Sequence, residues 1–244
     1  MSLIKKNSNN RIITKYFKKY NLSSSEKKEL LSLIKPIYSH SEFQRRLTDE
    51  FSHHDNLTLG EHILKVTIIT YKKIKKSKNK NINLRVAITI AMLHDLYTEP
   101  WQNNPVKDKK IFNKHGFRHP VEAVINSLIW YPELFEDEQE AKMIIDGIIH
   151  HMFPFPSLKY KENLNDKYSL KNYKLINEIE DRHKNNFINS ANRGILNRIS
   201  IRPSKYIEGR IVANADNWAS ISDFKITNIM AILTLVTGIN KKLR

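Results

Sequence analysis

Apolar residues recur at helical spacing along most of the chain, and one run differs from the rest. Val86 to Leu93, VAITIAML, is eight consecutive residues without formal charge, followed at once by His94 and Asp95. A segment apolar nearly all round predicts a helix buried in a core, not one lying on a surface. A carboxylate taken out of water without a partner is costly, so the buried end of this helix needs a cation, a hydrogen-bond network or an exit to solvent. A metal ion would satisfy both side chains at a helix C-terminus, where the backbone dipole favours positive charge. A polar helix end emerging into water is the plain alternative.

The other elements follow from local signals. Residues 1–20 are basic and mildly amphipathic, and Ser23 to Ser25 with Glu26 predicts a capped helix running to about Lys35 and ended by Pro36. A further helix is expected over Ser41 to Phe51, followed by His53, His54 and Asp55 on a loop, where adjacent histidines are ordinarily solvated. Thr58-x-x-Glu61 is a capping box, which accounts for Glu61. Behind it His62, Ile63, Val66, Ile69 or Thr70, and Ile74 repeat at helical spacing, and His62 reads as a hydrogen-bonded core residue or as a ligand.

Three more stretches aim polar groups inward. In His115-Gly116-Phe117-Arg118-His119-Pro120 the proline is expected at the first helical position, which puts His119 at the mouth of a helix running to about Trp130. The next helix opens on the acidic cluster Glu136 to Glu140 and ends at His150-His151 before MFPFP. His151 follows Ile144 and Ile148 on the apolar face, whereas His150 lies four residues after Asp146 on the polar side, so His151 is preferred and His150 is the lesser candidate. Pro203 opens a last helix in which Asp216 shares a face with Val212 and Ala219.

Composition narrows the chemistry. The 244 residues suit one main domain with additions, and the formal charge of +16 favours anionic partners such as nucleotides, nucleic acid or acidic lipid. From Lys65 to Arg85 every charged side chain is positive, which reads as a solvated face or as an anion-facing rim with Lys72, Lys73, Lys75 and Lys76 attracting substrate. With no cysteine, any metal must be held by nitrogen and oxygen ligands. No apolar run reaches the length of a membrane span, so a soluble, cytoplasmic protein without membrane partners is expected. The longest late run, Ile226 to Ile239, reads as a core or oligomer-forming helix. Residues 157–202 are rich in Lys, Asn, Asp and Glu and read as an insertion or lid, with a helix from about Leu170 to Ser190.

The order His62, His94-Asp95, His119, His151, Asp216, with the segments HGFRHP, HHMFP and NADNWAS, resembles the HD-domain superfamily of metal-dependent phosphohydrolases. The likeness is to a bacterial subgroup with extra histidines for a second metal, and it covers about Leu57 to Ser222. Two departures limit it. Leu96-Tyr97 follows the pair where many members have a small residue, glycine and lysine, and no GYP motif follows His150-His151, as it would in a cyclic-dinucleotide phosphodiesterase of the HD-GYP type.

The resemblance implies an all-α HD-domain helical bundle over 57–222, with a basic helical extension over 1–56 and the insertion over about 157–202. Residues 223–244 would then form a helix on the core or at a homo-oligomer interface. It further implies that His62, His94, Asp95 and Asp216 hold a first metal and that Asp95 bridges to a second held by His119 and His151. Such donors suit one or two Mn, Fe, Co, Ni or Zn ions, and metal-bound hydroxide would attack phosphorus while Arg118 stabilises phosphoryl charge. The expected activity is hydrolysis of a phosphate ester of a nucleotide or other small phosphorylated molecule, with Asp95 and Arg118 as catalytic residues. The alternative is a nucleic-acid-binding or nucleic-acid-processing HD protein, for which Tyr160, Tyr168 and Tyr173 would supply stacking surfaces. A scaffold with a purely structural metal is the third possibility.

Overall fold

A computed structural model describes residues 3–54, 57–98, 115–158 and 199–223, with backbone alone at 3–10, 54, 115, 118, 158, 222 and 223. The expected helices over Leu170 to Ser190 and Ile226 to Ile239, the loop after Thr98, and Tyr160, Tyr168 and Tyr173 lie outside the described residues.

The all-α expectation is borne out. In chain order the elements are α1 (Leu3–Lys19), α2 (Ser24–Tyr38), α3 (Ser41–Arg46), β1 (Ser52–His54), β2 (Leu57–Thr58), α4 (Leu59–Lys76), α5 (Leu84–Leu93), α6 (His115–Trp130), α7 (Glu138–Ile149), β3 (Ser157–Leu158), β4 (Ile199–Ser200) and α8 (Ile207–Asp223). Short 3-10 turns at Asp49–Phe51 and Pro132–Phe135 precede β1 and α7. Among the described residues, no helix is long and apolar enough to cross a membrane.

The central helix is α5. Every residue from Val86 to Leu93 is buried, because α2, α4, α7 and α8 all pack against it and leave no face for water. That surrounds a sequence without amphipathic periodicity, and each fully buried Ile or Leu there contributes about 1.5–3 kcal/mol. Ile13, Tyr16 and Phe17 of α1 and Leu30, Ile34 and Ile37 of α2 belong to the same hydrophobic core.

Local rules explain the entries to the helices that matter for the site. At α4 the Thr58 hydroxyl accepts the Glu61 amide at 3.2 Å, and the Glu61 carboxylate accepts the Thr58 amide at 3.1 Å. Both halves of the capping box are therefore formed. Between α7 and α8 the helices touch backbone to backbone: a Cβ on Gly209 would stand 2.8 Å from the Gly147 Cα. Lys65, buried one turn after His62, donates to the Ala219 carbonyl at 2.9 Å and ties α4 to α8.

The boundaries differ from the sequence expectations in four places, one being α8, which opens at Ile207 and not at Pro203 because the Asp146 carboxylate engages Ser204 and the Lys205 amide ahead of it. Pro36 does not end α2 but lies inside its last turn, where burial of Ile34 and Ile37 outweighs one missing helical hydrogen bond. The helix expected over Ser41 to Phe51 stops at Arg46 and resumes as a 3-10 turn. In α6, Pro120 is the sixth helical residue and not the first; the carbonyl it fails to engage belongs to Gly116, which is exposed to water.

The flanks of the lysine-rich segment meet. β3 and β4 pair antiparallel, Ser157 with Ser200 and Leu158 with Ile199. The Asp146 carboxylate then fastens the returning strand, accepting from Arg202 at 2.6 Å, the Ser204 hydroxyl at 2.7 Å and the Lys205 amide at 2.8 Å. Burial acts to raise the Asp146 carboxyl, but these donors and His150 hold it well below the usual range.

Candidate metal centre

The end of α5, the first turn of α4, α6, the end of α7 and the middle of α8 converge. His94 caps α5 and Asp95 follows it; both are buried, as are His62, His119, His151 and Asp216. The structure thus brings together His62, His94, Asp95, His119, His151 and Asp216, three of them within one group and three in another: His62, His94 and Asp216, and Asp95, His119 and His151.

The geometry assigns the two oxygens of Asp95 to different neighbours. Its Oδ1 lies 3.3 Å from His119 Nε2 and 3.4 Å from His151 Nε2, while those two nitrogens are 3.1 Å apart. Its Oδ2 lies 3.8 Å from His62 Nε2 and 3.7 Å from His94 Nε2. Asp216 Oδ1 completes that side, 3.1 Å from His62 Nε2 and 3.8 Å from His94 Nε2.

The separations on the His119 and His151 side fit metal donors. Atoms held about 2.0–2.2 Å from one ion stand about 2.8–3.6 Å from each other at right-angled to tetrahedral spacing. The Asp95–His119–His151 triangle matches that range on all three edges. Among the described residues, two buried atoms, His94 Nε2 and Asp95 Oδ1, find no hydrogen-bond partner. A buried polar atom without a partner is costly, and a cation would satisfy both.

The imidazoles are oriented from behind. His94 Nδ1 sits 2.8 Å from the Ala91 carbonyl and His151 Nδ1 2.7 Å from the Ile148 carbonyl. Each Nδ1–H therefore donates to backbone, which leaves Nε2 as a lone-pair donor pointing inward. His150 is engaged elsewhere, with Nδ1 2.8 Å from the Asp146 carbonyl and Nε2 3.2 Å from the Ser200 hydroxyl. Glu61 is occupied by its cap and by Lys15 at 3.6 Å. Arg118 lies on α6 beside His119, and its side chain is outside the described residues.

Electrostatics keep His94 and the two aspartates in binding form. Burial pushes the His94 imidazole down to about 4, against the pull of Asp95 and Asp216, so it is neutral near pH 7. Burial acts to raise both aspartates, yet His94, His151 and His119 hold Asp95 well below the usual carboxylate range, and His62 and His94 hold Asp216 at about 2. Burial acts to lower His151, but the Asp95 carboxylate raises it overall.

A pH dependence follows for the metal-free protein. The folded value of His94 lies below its ordinary 6.5, so between about pH 6.5 and about pH 4 the unfolded chain binds its proton and the folded chain does not. Stability from this group therefore rises with pH across that window and is lost on acidification, by on the order of 3 kcal/mol. The depressed aspartates act below that window and the raised His151 above it. Thermal midpoints measured in chelator should fall between about pH 6.5 and about pH 4.5; a flat profile would contradict a buried neutral His94.

Several contributors were not legible as site residues. His53, expected to be solvated on a loop, instead forms a third group with His62 and Asp95. The segment after Asp95 is gripped from three sides: Arg46 donates to the Tyr97 carbonyl, Asn126 donates to the Leu96 carbonyl at 2.6 Å, and Glu122 accepts the Thr98 amide at 2.8 Å. The Arg46 guanidinium is fully buried, 4.8 Å from the Phe51 ring and 4.6 Å from that of Trp130. Comparison of the chain with family models, with curated proteins and with solved structures returned no match.

Proposed function

We propose that the chain is a metal-dependent phosphoric ester hydrolase of the HD-domain superfamily, acting on a nucleotide or another small phosphorylated molecule. One observation carries this reading: donors far apart in sequence meet in one buried cluster in which Asp95 turns one oxygen to His119 and His151 and the other to His62 and His94. His62, His94, Asp95 and Asp216 would hold one divalent ion, and Asp95, His119 and His151 a second. Such ions supply Lewis acidity toward a phosphoryl oxygen and lower the pKa of water. The chain's own residues hold the His94 and His151 imidazoles in one tautomer, keep the carboxylates ionised and exclude bulk water, which strengthens every charge interaction inside. Arg118, next to His119, is the cation proposed to meet substrate charge. In this reading 57–222 is the HD unit, 1–56 its helical extension and 157–202 an insertion clipped at its base.

The lysines of α4 support a small substrate more than a polynucleotide. A helix rises 1.5 Å per residue, so Lys72 to Lys76 lie roughly 15–21 Å along the axis from His62. They also have structural partners: Lys72 donates to the Tyr20 carbonyl at 2.6 Å, Lys73 to Asn214, and Lys75 pairs with Glu29 at 2.8 Å. These contacts join α4 to the end of α1, to α2 and to α8, which favours a structural role for Lys72, Lys73 and Lys75 over an anion-facing rim.

The test is metal analysis of protein purified without a His tag, joined to a hydrolysis screen of phosphate mono- and diesters. Bound transition metal and turnover of a small ester are expected, and changing Lys72, Lys73 and Lys75 to glutamine should alter that rate by less than about tenfold. Absence of any ester turnover, with tight oligonucleotide binding that weakens steeply with salt, would replace this reading with the nucleic-acid one.

A further inference from the structure

The donors around Asp95 do not end with the six that the ligand order suggests. His53 lies in β1 with its ring centroid 4.4 Å from that of His62 and the two planes tilted by 37°. One nitrogen of His53, one of His62 and a carboxylate oxygen of Asp95 all lie within 4.8 Å of one another. His53 is half-buried, whereas the other six are buried, so it stands on the exposed side of the cluster.

The backbone gives a reason for that placement. In the β1–β2 ladder Ser52 pairs with Thr58 and His54 with Leu57, so two steps along β1 match one step along β2. His53 is the extra residue of this bulge. A bulge bends its strand and re-aims the side chain it carries, and it costs ladder pairing to form. β2 runs directly into α4, and Thr58 serves both as the strand partner of Ser52 and as the cap of α4. The residue that fixes the register of β1 thereby also fixes the start of the helix that carries His62.

We infer that His53 is a further metal-binding residue, a seventh donor that closes the His62–Asp95 side of the centre toward solvent. This rests on the metal centre named under Proposed function. Neutral imidazole is a donor of the same kind as the four already present, and the cluster gains no further negative charge from it. Packing of one ring on another would explain the 4.4 Å centroid separation, and the shared approach of His53, His62 and Asp95 is the arrangement a common ion would use.

Cobalt-loaded protein separates a donor from a packing ring. His53→Phe keeps an aromatic face against His62 and removes both nitrogens; His53→Ala removes both face and donor. The readouts are cobalt affinity by chelator competition and the number of paramagnetically shifted imidazole N–H resonances. The expected result is the loss of one such resonance in both variants and a fall in the affinity of at least one ion by about tenfold or more, the lower end of what removing even an outer-shell partner costs. His150→Ala should change neither readout. If His53→Phe keeps the wild-type resonances and affinity, His53 only packs and the inference is overturned. If the wild-type protein itself takes up no cobalt, the metal centre fails as a whole, a result distinct from loss of one donor.

Discussion

Asp95→Ala protein is expected to lose bound metal and phosphoester hydrolysis together while keeping its helices. Both oxygens of Asp95 are committed, Oδ1 toward His119 and His151 and Oδ2 toward His62 and His94. Removing them leaves Asp216 as the remaining carboxylate of the six-residue cluster, so both ions lose charge neutralisation as well as a donor. A rate loss beyond about a thousandfold, over roughly 4 kcal/mol of barrier, is expected. The fold should survive because the segment after Asp95 is anchored by Arg46, Asn126 and Glu122 through backbone groups and not through the Asp95 side chain. Without Asp95 the buried carboxylate left in the cluster is Asp216, which keeps His62 as its partner at 3.1 Å. Added metal should raise the thermal midpoint of the wild type and leave that of the variant where it was. Full metal occupancy in folded Asp95→Ala protein would remove Asp95 from the centre.

What could be read from the sequence was what obeys a local rule. The buried helix α5 announced itself by lacking periodicity, and the start of α4 by Thr58 and Glu61, because a helix entry is decided within four residues. Asp216 and His151 were assigned inward by their spacing from Val212 and from Ile148, and all four residues are buried. Features decided by tertiary partners were illegible. Pro36 and Pro120 sit within helices because packing outweighs one lost hydrogen bond. Lys65 and Lys72 looked like surface charge, but the carbonyls they reach, of Ala219 and Tyr20, are distant in sequence. Arg46 gave no sign of being a core residue, since Phe51, Trp130 and Tyr97 come to it from separate elements. His53 escaped because a three-residue bulged strand is too short to show a period. Its one trace was the His53-His54 doublet itself.

The adjacent histidines that end α7 give the sharpest test of a second ion. His151→Ala, and equally His119→Ala, should lower metal stoichiometry from about two ions toward one and cost most of the hydrolysis rate, because paired ions stabilise both the attacking and the leaving oxygen. His150→Ala should leave stoichiometry unchanged. The two side chains differ by one residue in sequence and by their surroundings in space. His151 places Nε2 3.4 Å from Asp95 Oδ1 and 3.1 Å from His119 Nε2, with Nδ1 held by the Ile148 carbonyl. His150 places Nε2 against Ser200 and belongs to the Asp146 network at the base of the 157–202 segment. Its loss should therefore register as a drop in thermal midpoint by loosening the β3–β4 clip, on the order of 1 kcal/mol for a removed hydrogen-bond partner. Elemental analysis of the three variants beside their unfolding curves distinguishes the roles. Loss of one ion in His150→Ala, with both retained in His151→Ala, would exchange the two residues and place the second ion on the Asp146 side of α7.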